Sequence, residues 1–129
     1  MSNATPRRTN DALYRAHLVF EVFRATGERE FPAQLSSVFL WIASHEGCLQ
    51  EDVAEALCIA RSSVSRNITW LGSTHRSGKT GLKLVRRERA VDGDPRRYRL
   101  FLTPKGKHFS SLIEKHLTAP LPKDYEHNS

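Results

Sequence analysis

Net positive charge in this chain is confined to one stretch. Between Arg61 and Arg99 stand eleven Lys/Arg against three acids (Glu88, Asp92 and Asp94), a formal charge of +8. The whole chain of 129 residues carries only +6, so the residues outside that stretch sum to −2. So many cations cannot be buried, and the stretch must form a surface. Its apolar residues recur first at helical spacing and then at strand spacing, so the surface is a helix followed by a hairpin. Cations gathered on a helix and a hairpin suit a duplex nucleic acid, because phosphate attraction supplies most non-specific affinity. A solvated charged face is the plainer alternative, and the order of the elements argues against it.

The rest of the chain supplies the core. Hydrophobic residues make up 39% of the sequence, with two Trp, which is enough for one folded domain. No apolar run approaches the ~20 residues that span a bilayer. Residues 1–10 read as a flexible polar arm without the apolar segment of a secretory signal. The expectation is a cytoplasmic protein that does not enter membranes. Cys48 and Cys58 form neither a CxxC pair nor a disulfide framework and read as free thiols.

From Asp11 to about Thr26, Leu13, Ala16, Phe20 and Phe23 recur at helical spacing, with Asp11 as N-cap and Gly27 as the stop. A second helix spans about Pro32 to His45 and ends at Gly47, and a short third runs from about Gln50 to Leu57. The fourth, Arg61 to about Leu71, places Val64, Ile68 and Leu71 on one narrow face and Ser62, Ser65, Arg66 and Thr69 opposite. Short hydroxyl side chains and an Arg let a helix sit close to base edges and phosphates. A merely solvated helix face would more often use better helix formers. A basic loop, Gly72–Gly81, carries Arg76 and Lys79. Leu82–Val91 and Arg97–Thr103 then read as two strands around the turn Asp92-Gly93-Asp94-Pro95. A last helix begins at Thr103-Pro104 and runs to about Leu117, and residues 118–129 read as a loose tail. The fold class is mainly α with a small β-hairpin, a winged helix-turn-helix over residues 11–117.

Residues 32–109 resemble the MarR family of bacterial transcriptional regulators. The resemblance is carried by LQEDVAEALCIARSSVSRNITWL and LVRRERAVDGDPRRYRLFLTPKGKHF. In the second, an acid and an Arg two residues later precede a strand ending in Leu-Thr-x-x-Gly, here Asp94, Arg96, Leu102, Thr103 and Gly106. The resemblance implies a recognition helix, Arg61–Leu71, in the major groove and Arg96, with Arg97 beside it, in the minor groove. It also implies that Asp94 braces the wing Arg, and that the first and last helices build a homodimer. Cys58 and Ala60 depart from the pattern, standing where Gly and a hydroxyl cap are usual, so the cap is weaker or shifts to Ser62. The 72–81 connection is longer than the pattern, the terminal helices are shorter, and the first helix lacks the Cys of peroxide-sensing members.

The residues expected to touch double-stranded DNA are Arg61, Ser62, Ser65, Arg66, Asn67 and Thr69 in the major groove. Arg96 and Arg97 are expected in the minor groove, with Arg76, Lys79, Arg87 and Arg89 on phosphates. Gly72 to Thr80 looks like a phosphate loop, but its glycines are one residue too far apart and a strand follows where a helix should. The His and Cys residues show no metal-ligand spacing. No enzyme activity, metal or cofactor is therefore expected, and no effector can be named. The alternative function is an interaction module that offers the same basic face to an acidic protein partner of the transcription or replication machinery.

Overall fold

The computed structural model describes residues 6–28, 30–73, 80–91 and 97–123. Five helices and one two-stranded antiparallel hairpin follow in order: α1 (Asp11–Arg24), α2 (Ala33–Ser44), α3 (Gln50–Leu57), α4 (Arg61–Leu71), β1 (Val85–Arg89), β2 (Tyr98–Leu102) and α5 (Pro104–Thr118). Among the described residues no helix is long and apolar enough to cross a membrane.

The helix boundaries are set by side chains at their starts. Asn10, not Asp11, caps α1, its side-chain oxygen accepting the Leu13 N–H at 2.9 Å. Asp11 instead lies in the first turn, where a carboxylate favours the helix dipole, and is paired with Arg8. Pro32 stands just outside α2 and fixes the entering φ at −58°. Asp52 accepts the Leu49 N–H at 2.8 Å and so closes the start of α3. Thr103 caps α5 through the Gly106 N–H at 2.9 Å, with Pro104 first in the helix.

The core joins the terminal helices to the helix-turn-helix. Phe23 of α1, Phe39 of α2 and Phe109 of α5 meet edge to face, with ring centroids 5.3 to 6.1 Å apart. Leu35, Val38, Ile42, Val53, Val64, Leu71 and Leu100 are fully buried around them. On the outer side, α1 and α5 leave Leu13, Phe20, Leu112 and Leu117 exposed. A cleft of about 510 Å³ opens between these helices, floored by Val22, Leu82, Leu84 and Phe109.

The first strand is shorter than the expected Leu82–Val91. Residues 82–84 bond to the end of α4 instead: Leu82 N–H to Trp70 O, Lys83 N–H to Gly72 O and Leu84 N–H to Leu71 O, at 2.8 to 2.9 Å. With Gly81 N–H on Ser73 O at 3.1 Å, these bonds close the root of the 72–81 connection. The flanks of the terminal helices are also tied together. Arg15 donates to the carbonyls of His116 and Ala119, and Arg8 to that of Pro122, so residues 119–122 are held against α1.

Candidate nucleic-acid interface

The turn into α4 is made without glycine. Cys58 ends α3 in the left-handed conformation, φ 54°, and Ile59 N–H returns to Ala54 O. Ala60 enters α4 with extended backbone, and its side chain offers no cap. Val64, Ile68 and Leu71 then bury one stripe of α4 and fix which residues face outward.

Arg61, Ser62 and Arg66 are exposed on α4, and Ser65 and Thr69 are half-buried beside them. Arg66 donates to Ser63 Oγ at 3.1 Å, which orients the guanidinium along the helix surface. Asn67 points the other way. It is 8% exposed and donates to Gln34 Oε1 at 2.8 Å, so it joins α4 to α2 rather than facing a groove. The expectation that Asn67 touches a base is corrected here: position 67 falls between the buried stripe and the outer face, and the amide found a partner inside.

The hairpin register sorts the wing's charges. Val85 pairs with Leu102, Arg87 with Leu100 and Arg89 with Tyr98, while Arg86 pairs with Phe101 and Glu88 with Arg99. Because strand side chains alternate, Arg87 and Arg89 fall on the face that also carries the buried Val85 and Leu100. That face turns toward α4. Arg87 Nη2 lies 3.4 Å from both Ser65 O and Thr69 Oγ1, and its guanidinium stands over Tyr98, 5.7 Å from the ring centroid. Burial there lowers the Arg87 pKa from its usual value, opposed by Tyr98, but a guanidinium stays charged. Arg86 and Arg99 take the other face, Arg86 paired with Glu88 and Arg99 with the Gly47 carbonyl.

The wing is fastened to the turn before α3, and to α3 itself, as well. Gly47 N–H bonds Leu100 O, and Leu100 N–H bonds Cys48 O, both at 2.8 Å. Arg97 then reaches across to Glu51, its Nη2 and Nε lying 2.6 and 2.9 Å from one carboxylate oxygen. A cleft of about 310 Å³ between α3, α4 and the wing base is lined by Glu51, Arg61, Val64, Arg97 and Tyr98. Arg76, Lys79, Asp94 and Arg96 lie outside the described residues. The Arg97–Glu51 pair and the reach of Arg87 to α4 were not legible in the sequence, because each links residues 18 or more apart with no shared local pattern. Among the described residues no group of three His, Cys, Asp or Glu could hold a metal ion.

A helix with an outward Ser/Arg face, flanked by an antiparallel arginine hairpin, is a winged helix-turn-helix. Solved structures with the same architecture include MarR itself, at 23% identity with a TM-score of 0.58 over 82% of this chain and 70% of that one. The fold is that of a MarR regulator. Reduced AbfR bound to DNA aligns at 15% identity, TM-score 0.59, over 91% of this chain and 76% of that one. A MarR transcriptional regulator from Methanosarcina mazei Go1 aligns at 20% identity, TM-score 0.54, over 92% and 81%. No family model and no curated protein matches the sequence. The MarR-like architecture therefore rests on shape.

Proposed function

We propose that the chain is a sequence-specific double-stranded DNA-binding transcriptional regulator that acts by occupying its site. The observation that carries this reading is the outer face of α4, where Arg61, Ser62 and Arg66 stand exposed beside the wing's Arg87 and Arg89. A convex helix with short polar side chains fits the major groove, and the wing arginines beside it match a phosphate line that borders it. The likeness to AbfR, solved bound to DNA, supports the same docking.

In this reading Arg61, Ser62, Ser65, Arg66 and Thr69 read or clamp the major groove. Arg87, Arg89, Arg76 and Lys79 hold phosphates. Arg96 enters the minor groove, braced by Asp94, with Arg97 at the wing base. The exposed Leu13, Phe20, Leu112 and Leu117 support a homodimer through α1 and α5, which would set two recognition helices on successive turns of one DNA face.

Selection from a random duplex pool tests the reading. The expected result is one enriched motif with two-fold symmetry, and Arg66→Ala should weaken that motif by about 1–3 kcal/mol while leaving random duplex little changed. If no motif emerges and Arg66→Ala changes neither affinity, α4 is not a groove reader. Binding of an acidic protein partner would then be the better account of the basic face.

A further inference from the structure

The pair between Arg97 and Glu51 is out of place on a surface built to meet phosphate. Glu51 is an acid beside Arg61 and Arg97 in the cleft between α3, α4 and the wing base. An acid at that spot repels DNA unless it serves another end. Glu51 lies in the first turn of α3, where a carboxylate favours the helix dipole, but the carboxylate that caps the helix is that of Asp52, on the Leu49 N–H. What Glu51 does is take both Nε and Nη2 of Arg97 on one oxygen, at 2.9 and 2.6 Å.

Three features make this pair exchangeable. Both side chains are partly in solvent, 35% exposed for Arg97 and 40% for Glu51, and a half-exposed ion pair is weak enough for another anion to displace. The backbone of Arg97 is fixed, because its carbonyl accepts the Ala90 N–H at 2.9 Å across the hairpin. Turning the guanidinium from Glu51 to a phosphate therefore needs no movement of the strand. Finally, the pair stands where the wing base meets the helix-turn-helix, so an anion arriving along the wing meets Arg97 already extended.

We propose that Glu51 is an internal competitor for DNA, holding Arg97 while the chain is free and yielding it to a phosphate when the wing docks. This rests on the reading of the face as a duplex-DNA surface. Its consequence is selectivity. A loose, non-specific encounter brings a phosphate near only briefly and leaves Arg97 with Glu51, whereas a fully docked wing holds a phosphate close enough to take it. Glu51 is thus a specificity-determining residue that touches no base.

A double-mutant cycle of Glu51→Gln and Arg97→Gln, each alone and together, tests it on the full chain. Glutamine keeps the shape of Glu51, and circular dichroism verifies that each variant folds. Glu51→Gln should tighten binding to a random-sequence duplex by about two- to fivefold and steepen the salt dependence by about 0.9 in log–log slope, one phosphate contact more. In the Arg97→Gln background the same change should do nearly nothing. Equal effects in both backgrounds would mean that Glu51 acts only by through-space repulsion, and would overturn the proposal. Retention on a heparin column gives a second readout that does not depend on duplex DNA being the partner. Coupled shifts on heparin with no duplex binding by the parent protein would sink the DNA reading and keep the exchange. Uncoupled shifts on heparin would sink the exchange itself.

Discussion

On α4 the outward positions are Arg61, Ser62 and Arg66, whereas on α1 and α5 they include Leu13, Phe20, Leu112 and Leu117. Beneath these opposite surfaces the interiors are alike. Val64, Ile68 and Leu71 bury the inner stripe of α4 as fully as Phe23 and Ile113 bury those of the terminal helices. The monomer has therefore satisfied both helix sets, and what each leaves outside is surplus to folding. A surplus of arginine and hydroxyl suits phosphate and base edges, while a surplus of large apolar side chains suits another protein surface. On the proposed reading, the contrast gives the two faces to two partners.

The largest expected effect comes from the joint between the two faces. Gly106, in the first turn of α5, lies against the backbone of Leu84, and a Cβ there would meet the Leu84 carbonyl oxygen at 1.9 Å. Gly106→Ala should lower unfolding stability by about 3 kcal/mol, since neither helix nor backbone can yield cheaply. A urea titration reads this, and both faces should be lost together. An unchanged midpoint would show that the layers are less closely coupled than they look.

Phe20→Asp should instead separate the faces. Phe20 is 56% exposed, so the monomer should keep its stability. Sedimentation should show the proposed dimer weakened about tenfold or more, from the loss of one buried aromatic and the arrival of a charge. A mass unaffected by Phe20→Asp, whether monomer or dimer, would remove this helix pair as the interface.

The smallest change concerns the α4 side alone. Cys58 holds a left-handed φ of 54°, a conformation that costs most L-residues about 1–2 kcal/mol. Cys58→Gly should therefore raise stability by roughly 0.5–1 kcal/mol after the larger entropy of unfolded glycine is allowed for. The same variant isolates the other thiol. Burial, and secondarily Asp52, pushes Cys48 up to about 11, so it remains protonated at pH 8 while the exposed Cys58 can react. Native iodoacetamide labelling should almost vanish in Cys58→Gly and should reappear on unfolding. Persistent native labelling would show that the Cys48 thiol is open.

Much of the fold could be read from periodicity. The buried stripe of Val64, Ile68 and Leu71 and the Thr103-Pro104 start of α5 are local patterns, and local patterns survive into structure. Strand length was less legible: Leu82 and Leu84 look like strand residues, yet the open carbonyls at the end of α4 captured their N–H groups first. Asn67 illustrates the same limit in the site. Its helical position is intermediate, and only the placement of Gln34, 33 residues away, turns it inward. Arg97 was legible as a cation but not as half of an ion pair with Glu51, 46 residues before it. Composition and spacing give the charges, and only the tertiary contacts say which of them are already spoken for.

The closed root of the 72–81 connection has a consequence for how such a chain can vary. Ser73 and Gly81 are joined by a backbone hydrogen bond, and Gly81 approaches Gly72 so closely that a Cβ would lie 2.2 Å from the Gly72 carbonyl oxygen. Whatever lies between them enters and leaves through one fixed doorway. Closure entropy rises only slowly with loop length, about 0.6 kcal/mol per doubling. Segments of other lengths and chemistries can therefore be exchanged there without moving α4 or the hairpin. The doorway makes this connection a graft site, where a new segment can be tried while α4 stays in register.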